Sequence, residues 1–168
     1  MSNRNNKNQN YSKKNYQVQN RSANLKFNND NLLQKNSSVT FNVIPSINIQ
    51  GVRKVKNFTL NIEGDFHKDT DIKDKSYVIN YMLIYHPSGL NIPAITIPAQ
   101  IPGELFKANQ YIILQGILTP LNNKIQYSKL ARNLNSGDSI DLILINPSST
   151  TDLAGNILCN LNYAIAYN

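Results

Sequence analysis

The segment Ser139 to Asn146, Ser-Ile-Asp-Leu-Ile-Leu-Ile-Asn, leaves this chain the least freedom. In an extended backbone Ile140, Leu142 and Leu144 project to one side and Ile143 and Ile145 to the other, so both sides need cover. A strand with two apolar faces belongs in the middle of a sandwich or a barrel. Before it stands Asn135-Ser136-Gly137-Asp138, a turn whose residue types tolerate positive φ or hydrogen-bond their own backbone. Ahead of that turn, Tyr127 to Leu134 sets Lys129 and Arg132 among Leu130, Ala131 and Leu134, and the two segments read as a hairpin.

The rest of the chain supplies neighbours for that pair. Val39 to Ile47, Val52 to Glu63, Tyr77 to His86, Asn109 to Leu118 and Ile157 to Tyr167 read as strands, and Ala94 to Ile97 as a short edge strand between prolines. Glu104 to Ala108 is long enough for one helical turn only. Residues 64–75 are charged and irregular and read as a long exposed loop, and 147–156 as a polar one. Eight short strands with turn signals every ten or so residues, and no long helix, predict an all-β fold. The expected form is a single eight-stranded antiparallel jelly roll, a β-sandwich, over residues 39–168.

Residues 1–38 differ in kind. They hold 12 asparagines and few aliphatic side chains, too little apolar surface to offset the entropy of ordering, so a disordered arm is expected. An AT-rich coding sequence also over-produces Asn, Lys and Ile, so composition alone can explain part of the excess. The arm carries Arg4, Lys7, Lys13, Lys14, Arg21, Lys26 and Lys35 against Asp30, or 7 − 1 = +6. Residues 39–168 carry 10 basic and 9 acidic groups, or +1. A near-neutral domain with a cationic thread is the asymmetry of a polyanion binder; the plainer reading is a tail that only solvates the protein. Tyr11, Tyr16 and Phe27 are set among the basics and could stack on unpaired bases. Six or seven phosphate contacts on a single strand would make log K fall with log salt at a slope of about −4 to −5.

Catalytic patterns are absent from the sequence. The histidines are His67 and His86, and the one cysteine, Cys159, sits in an apolar strand where a buried thiol is the ordinary role. No phosphate loop, nucleophile elbow or paired-cysteine metal motif occurs, so no enzyme, no cofactor and no metal is expected. Asp65, His67, Asp69 and Asp71 alternate in the 64–75 loop with Asp74 nearby. The interleaved Lys68, Lys73 and Lys75 oppose a cation there, and a solvated loop is the better reading. A single cysteine fits a reducing compartment. The first residues have no apolar core of a secretory signal and no run spans a bilayer, so the chain is expected to be made in the cytosol, to stay soluble and not to insert into membranes.

Three blocks carry a resemblance. They are Val52 to Leu60, Tyr111 to Gly116, and Ser128 to Ile140, the last a basic strand followed by Leu-Asn-Ser-Gly-Asp and an aliphatic strand; the ending Asn162 to Tyr167 adds to them. Over residues 39–168 the chain resembles capsid proteins of circular, Rep-encoding single-stranded DNA viruses, the circovirus-like group. It departs from them in an arm poorer in arginine and in lacking tryptophan, which implies weaker arm–genome binding or a separate branch. The resemblance implies a jelly-roll coat subunit, a homo-oligomer of about 60 copies closing into a small icosahedral shell. It implies single-stranded DNA as the packaged partner, though an RNA-packaging jelly roll could carry the same arm. A host receptor is implied but not identified, and the locations implied are the virion and the host cytoplasm and nucleus. Lys54, Lys56, Lys129 and Arg132 would join the arm's basics as nucleic-acid-binding residues if they face the interior; the other reading places them at subunit contacts or in solvent. The rival from the residues alone is a jelly-roll binding module, lectin-like or a trimeric ligand, using Tyr81, Tyr85 and the Asp65–Asp71 loop.

Overall fold

The structure, a computed structural model, describes residues 15–28, 31–89 and 111–167. Within these the fold is all-β. Its strands are β1 (Gln17–Phe27), β2 (Ser37–Ile44), β3 (Arg53–Lys68), β4 (Ile79–His86), β5 (Ile112–Leu118), β6 (Asn122–Leu134), β7 (Ser139–Asn146) and β8 (Leu153–Tyr167). Strand β1 pairs with β8, β2 with β7, β3 with β6 and β4 with β5, all antiparallel. This is one long nested hairpin rolled on itself. Pairing of β3 with β8 and of β4 with β7 closes the roll into two sheets, ordered β1-β8-β3-β6 and β2-β7-β4-β5. That wrapping is the expected jelly roll.

The core lies between the sheets. One sheet contributes Val55, Phe58, Leu60, Ile62, Cys159, Leu161 and Tyr163; the other contributes Tyr81, Leu83, Leu114, Leu118, Leu142 and Leu144. Phe58 stacks on Tyr163 with ring centroids 6.4 Å apart. Strand β7 is buried along its whole length, as its two apolar faces require. Its outer side chains Ile143 and Ile145 form a second cluster with Met82 and Ile84 of β4.

Four sequence readings need correction. Order was expected from about Ser38, but β1 begins at Gln17, so much of the supposed arm is an edge strand. An edge strand needs partners on one side and cover on one face, and Ala23, Leu25 and Phe27 supply that face. Second, β3 runs on to Lys68. Gly64 and Phe66 of the supposed exposed loop are buried, and the loop shrinks to 69–78. Third, β8 starts at Leu153 rather than Ile157. Fourth, β6 and β7 are consecutive but not paired: β6 lies in one sheet and β7 in the other. Turn chemistry marks where a chain reverses; it does not say which sheet receives the next strand. Ala94–Ile97 and Glu104–Ala108 lie outside the described residues.

Candidate nucleic-acid interface

The register of the β1-β8-β3-β6 sheet gathers some of the basic residues and scatters others. Lys54 aligns with Asn133 and Ala166, and Lys56 with Ala131 and Ala164, while buried Val55 between them points into the core. Both lysines therefore stand on the outer face, at the end of the sheet where β1 begins. The register between β3 and β6 shifts between Lys56 and Phe58, opposite the Ser128–Ala131 stretch, which places Lys129 beside them. The Lys56 ammonium lies 3.7 Å from the centre of the Tyr16 ring. It reaches across β8, whose residues at this level are the small Ala164 and Ala166. Tyr16, just ahead of β1, thus meets the same end of the sheet as Lys54 and Lys56, while Lys129 stands on the opposite edge strand, β6.

The segment ahead of β1 carries much of the net charge. Residues 1–16 contain Arg4, Lys7, Lys13 and Lys14 and no acid, or +4; residues 17–168 contain 13 basic and 10 acidic groups, or +3. Arg4, Lys7, Lys13 and Lys14 lie outside the described residues. Arg21, Lys26 and Lys35, expected in a free arm, belong to the folded domain. Arg21 is in the middle of β1. Lys26 aligns with Asn156, eight positions along β8 from the partner of Lys56, or roughly 27 Å away. Lys35 follows Leu33, which bridges Leu153 at that same far end, and its amide donates to Asp152 Oδ1 at 2.7 Å. Arg132 aligns with Val55 and so occupies the inner side of the edge strand, the face opposite Lys54 and Lys56.

One arginine is structural. Arg53 is buried; its guanidinium donates to the carbonyls of Pro45 and Asp138, each at 2.9 Å. The same corner is tied by the Asp138 carboxylate, which accepts from the Asn135 amide at 2.7 Å, the Ser88 amide at 2.8 Å and the Tyr85 hydroxyl at 2.7 Å. Burial raises the Asp138 pKa, but these hydrogen bonds outweigh it and hold the group below the usual carboxylate range. Burial first, and then the Asp138 carboxylate, push the Tyr85 hydroxyl up to about 12.

The acidic stretch does not converge on a point. Asp65 is ion-paired with Lys75, Asp71 Oδ1 accepts the Lys73 amide, and Asp74 accepts the Ser76 amide and hydroxyl. Among the described residues no three His, Cys, Asp or Glu side chains stand close enough to share a metal ion. His86 Nδ1 lies 2.8 Å from the buried Asp141 carboxylate, whose oxygens also face the Ser139 hydroxyl at 3.3 and 3.4 Å. Cys159 is buried opposite Ile62 and Ala23, and burial pushes its thiol up to about 11. We therefore expect a disulfide-exchange reagent at pH 8 to leave the native protein unlabelled over the time in which the denatured chain reacts fully; rapid labelling of native protein would contradict this burial.

Sequence reasoning missed the face around the lysines. Its signal was the alternation of Asn160 and Asn162 with the apolar residues of the last strand, which reads as one wet face once the register is known. Among the described residues no helix is long and apolar enough to cross a membrane.

No protein-family model and no curated protein sequence matches this chain. Among solved structures it is similar to a subunit of the Bacillus endospore appendages, described as disulfide-linked pili, at 7% identity and a TM-score of 0.36 over 90% of each chain. It is also similar to a mutant of VP2 of infectious bursal disease virus in derived T=1 particles, at 10% identity and a TM-score of 0.33 over 91% of this chain and 36% of that one. The chain thus spans about a third of the VP2 chain. At these scores neither likeness bears on function.

Proposed function

We propose that this protein is a structural protein rather than an enzyme: a viral coat subunit that closes with its copies, about 60 in the simplest case, into a small icosahedral shell around single-stranded DNA. One observation carries the reading. A segment with four basic groups and no acid precedes β1 in the sequence, and β1 begins at the end of a sheet where Lys54, Lys56 and Lys129 also stand. Lysine and arginine neutralise phosphates and release counterions without regard to sequence, which is what packaging requires. The circovirus-like resemblance of residues 39–168 supports the same reading, and it gives the virion, with the host cytoplasm and nucleus, as the places of action.

The deciding experiment removes residues 1–14 and no more. A cut at residue 38 would take away β1 and expose the core beneath Leu25 and Phe27. The full-length protein should form particles by electron microscopy with an absorbance ratio showing packaged nucleic acid, degraded by DNase after disruption. The truncated protein should still assemble but lose most of that nucleic acid. Seven contacts, four from the arm plus Lys54, Lys56 and Lys129, give a salt slope of about −5, and the truncation should flatten it by about 3. A monomer at high concentration would refute the shell. Undiminished nucleic acid after truncation would refute the role of the arm, and RNase-sensitive contents would replace DNA by RNA.

A further inference from the structure

We infer that the outer face of the β1-β8-β3-β6 sheet is a platform for the unpaired bases of a single strand, with Tyr127 as its stacking residue; this rests on the coat-protein reading above. The register defines the face row by row. At the basic end come Ala166, Lys54 and Asn133, then Val18, Ala164, Lys56 and Ala131, with the Tyr16 ring under the Lys56 ammonium. Next is the row Asn20, Asn162, Thr59 and Tyr127, and after it Ser22, Asn160, Asn61 and Ile125. Among the described residues no acid occurs on this face until Glu63 and Asp65 at the far end. A polyanion entering at the basic end therefore meets lysines first and amides next, ahead of any acid among the described residues.

Folding does not account for the residue choice. Asparagine is among the side chains least suited to strands. Yet Asn20, Asn61, Asn133, Asn156, Asn160 and Asn162 all point outward here, against Asn42 and Asn80 on the outer face of the other sheet. Coding drift would enrich both faces alike. The amides are also held in place: Asn20 Nδ2 donates to Asn162 Oδ1 at 2.7 Å, and the Ser22 hydroxyl donates to Asn160 Oδ1 at 2.5 Å. Fixed amides can both donate to and accept from base edges. Tyr127 is 76% exposed on the edge strand and flanked by Ile125 at 54%. A large ring left in water beside a row of amides and lysines fits a base, because every base has a face on which a ring can stack.

The test uses the full-length chain with two labelled probes of identical backbone, a 20-residue oligo-dT and an abasic 20-mer. Anisotropy titrations should show Tyr127→Ala weakening oligo-dT binding by about 5-fold or more while the abasic oligomer stays within about 2-fold. The salt slope should not change, since no charge is removed. Tyr127→Phe should restore binding. The Lys54→Ala/Lys56→Ala pair should weaken both probes and flatten the slope by about 1.4. Tyr127 is exposed, so an unchanged melting temperature verifies that its variants fold. If Tyr127→Ala leaves oligo-dT binding intact, or weakens both probes equally, the platform is refuted; the coat reading stands in that case if removing residues 1–14 abolishes binding. If the full-length chain binds neither probe, the coat reading itself falls.

Discussion

Gly155→Ala should prevent the domain from folding. Gly155 sits near the start of β8 at φ +138°, in a region that side-chain-bearing residues rarely enter. A Cβ built there would lie 2.2 Å from the Asp65 carbonyl oxygen and 2.6 Å from the Phe66 Cα. Both atoms belong to the backbone of β3, the strand that pairs with β8 here, so neither can turn aside as a side-chain tip would. Relief requires the two strands to part, and between them they hold Phe66, Ile157 and Leu153 in the core. Backbone strain of about 1–3 kcal/mol and the lost packing together approach the whole stability of a domain this size, about 5–15 kcal/mol. The expected outcome is aggregated protein, or a cooperative unfolding transition displaced by more than half the wild-type denaturant midpoint. Gly89 is the control. It also has positive φ, +81°, but an added Cβ meets nothing within 4 Å, so Gly89→Ala should cost only about 1–2 kcal/mol. Equal losses at the two positions would show that conformation, and not the clash, sets the effect.

The readable parts of this fold were those where one residue's chemistry decides its surroundings. Ile143 and Ile145 opposite Leu142 and Leu144 announce a central strand, and β7 is buried throughout. Leu161, Tyr163 and Ile165 alternating with Asn162 and Ala164 announce a one-sided strand, and β8 is one. In β1 the same period is present in Ala23, Leu25 and Phe27, but it is only three residues long and the surrounding Asn20, Asn24 and Asn28 hide it. Partner choice was less legible. Whether Leu134 and Ile140 flank a hairpin or a corner depends on what Asp138 bonds, and its partners Tyr85 and Ser88 are about fifty residues away in sequence. The candidate interface was legible as charge and illegible as place. Lys54 and Arg132 look alike in the sequence, and only the register to Val55 puts them on opposite faces.

That corner carries the second large effect. Asp138→Ala should destabilise the domain by about 3–5 kcal/mol. It removes the buried, charged acceptor of three part-buried hydrogen bonds, from the Asn135 amide, the Ser88 amide and the Tyr85 hydroxyl. A bond to a charged group contributes about 1.5–3 kcal/mol, less where water can replace the acceptor. The loss should not stay local: the Asp138 carbonyl also holds Arg53, and through it Pro45, so the turn that carries the chain from β6 to β7 loosens as a unit. The pH dependence gives an independent check. Asp138 has a folded pKa below its ordinary value of 3.8, so the folded state favours the ionised carboxylate. The stabilisation is therefore complete above that ordinary value and is lost as pH falls through the lower, folded one. Wild-type stability should decline below about pH 4, and the gap between wild type and Asp138→Ala should narrow over the same range. Asp138→Asn keeps the shape and one acceptor but turns two hydrogens toward donors. It should fall between the two in stability and lack this component of the acid dependence. Chemical denaturation at pH 7, 5 and 3 measures all three proteins. A gap between wild type and Asp138→Ala that stays constant down to pH 3 would mean that the carboxylate's charge is not what holds the corner.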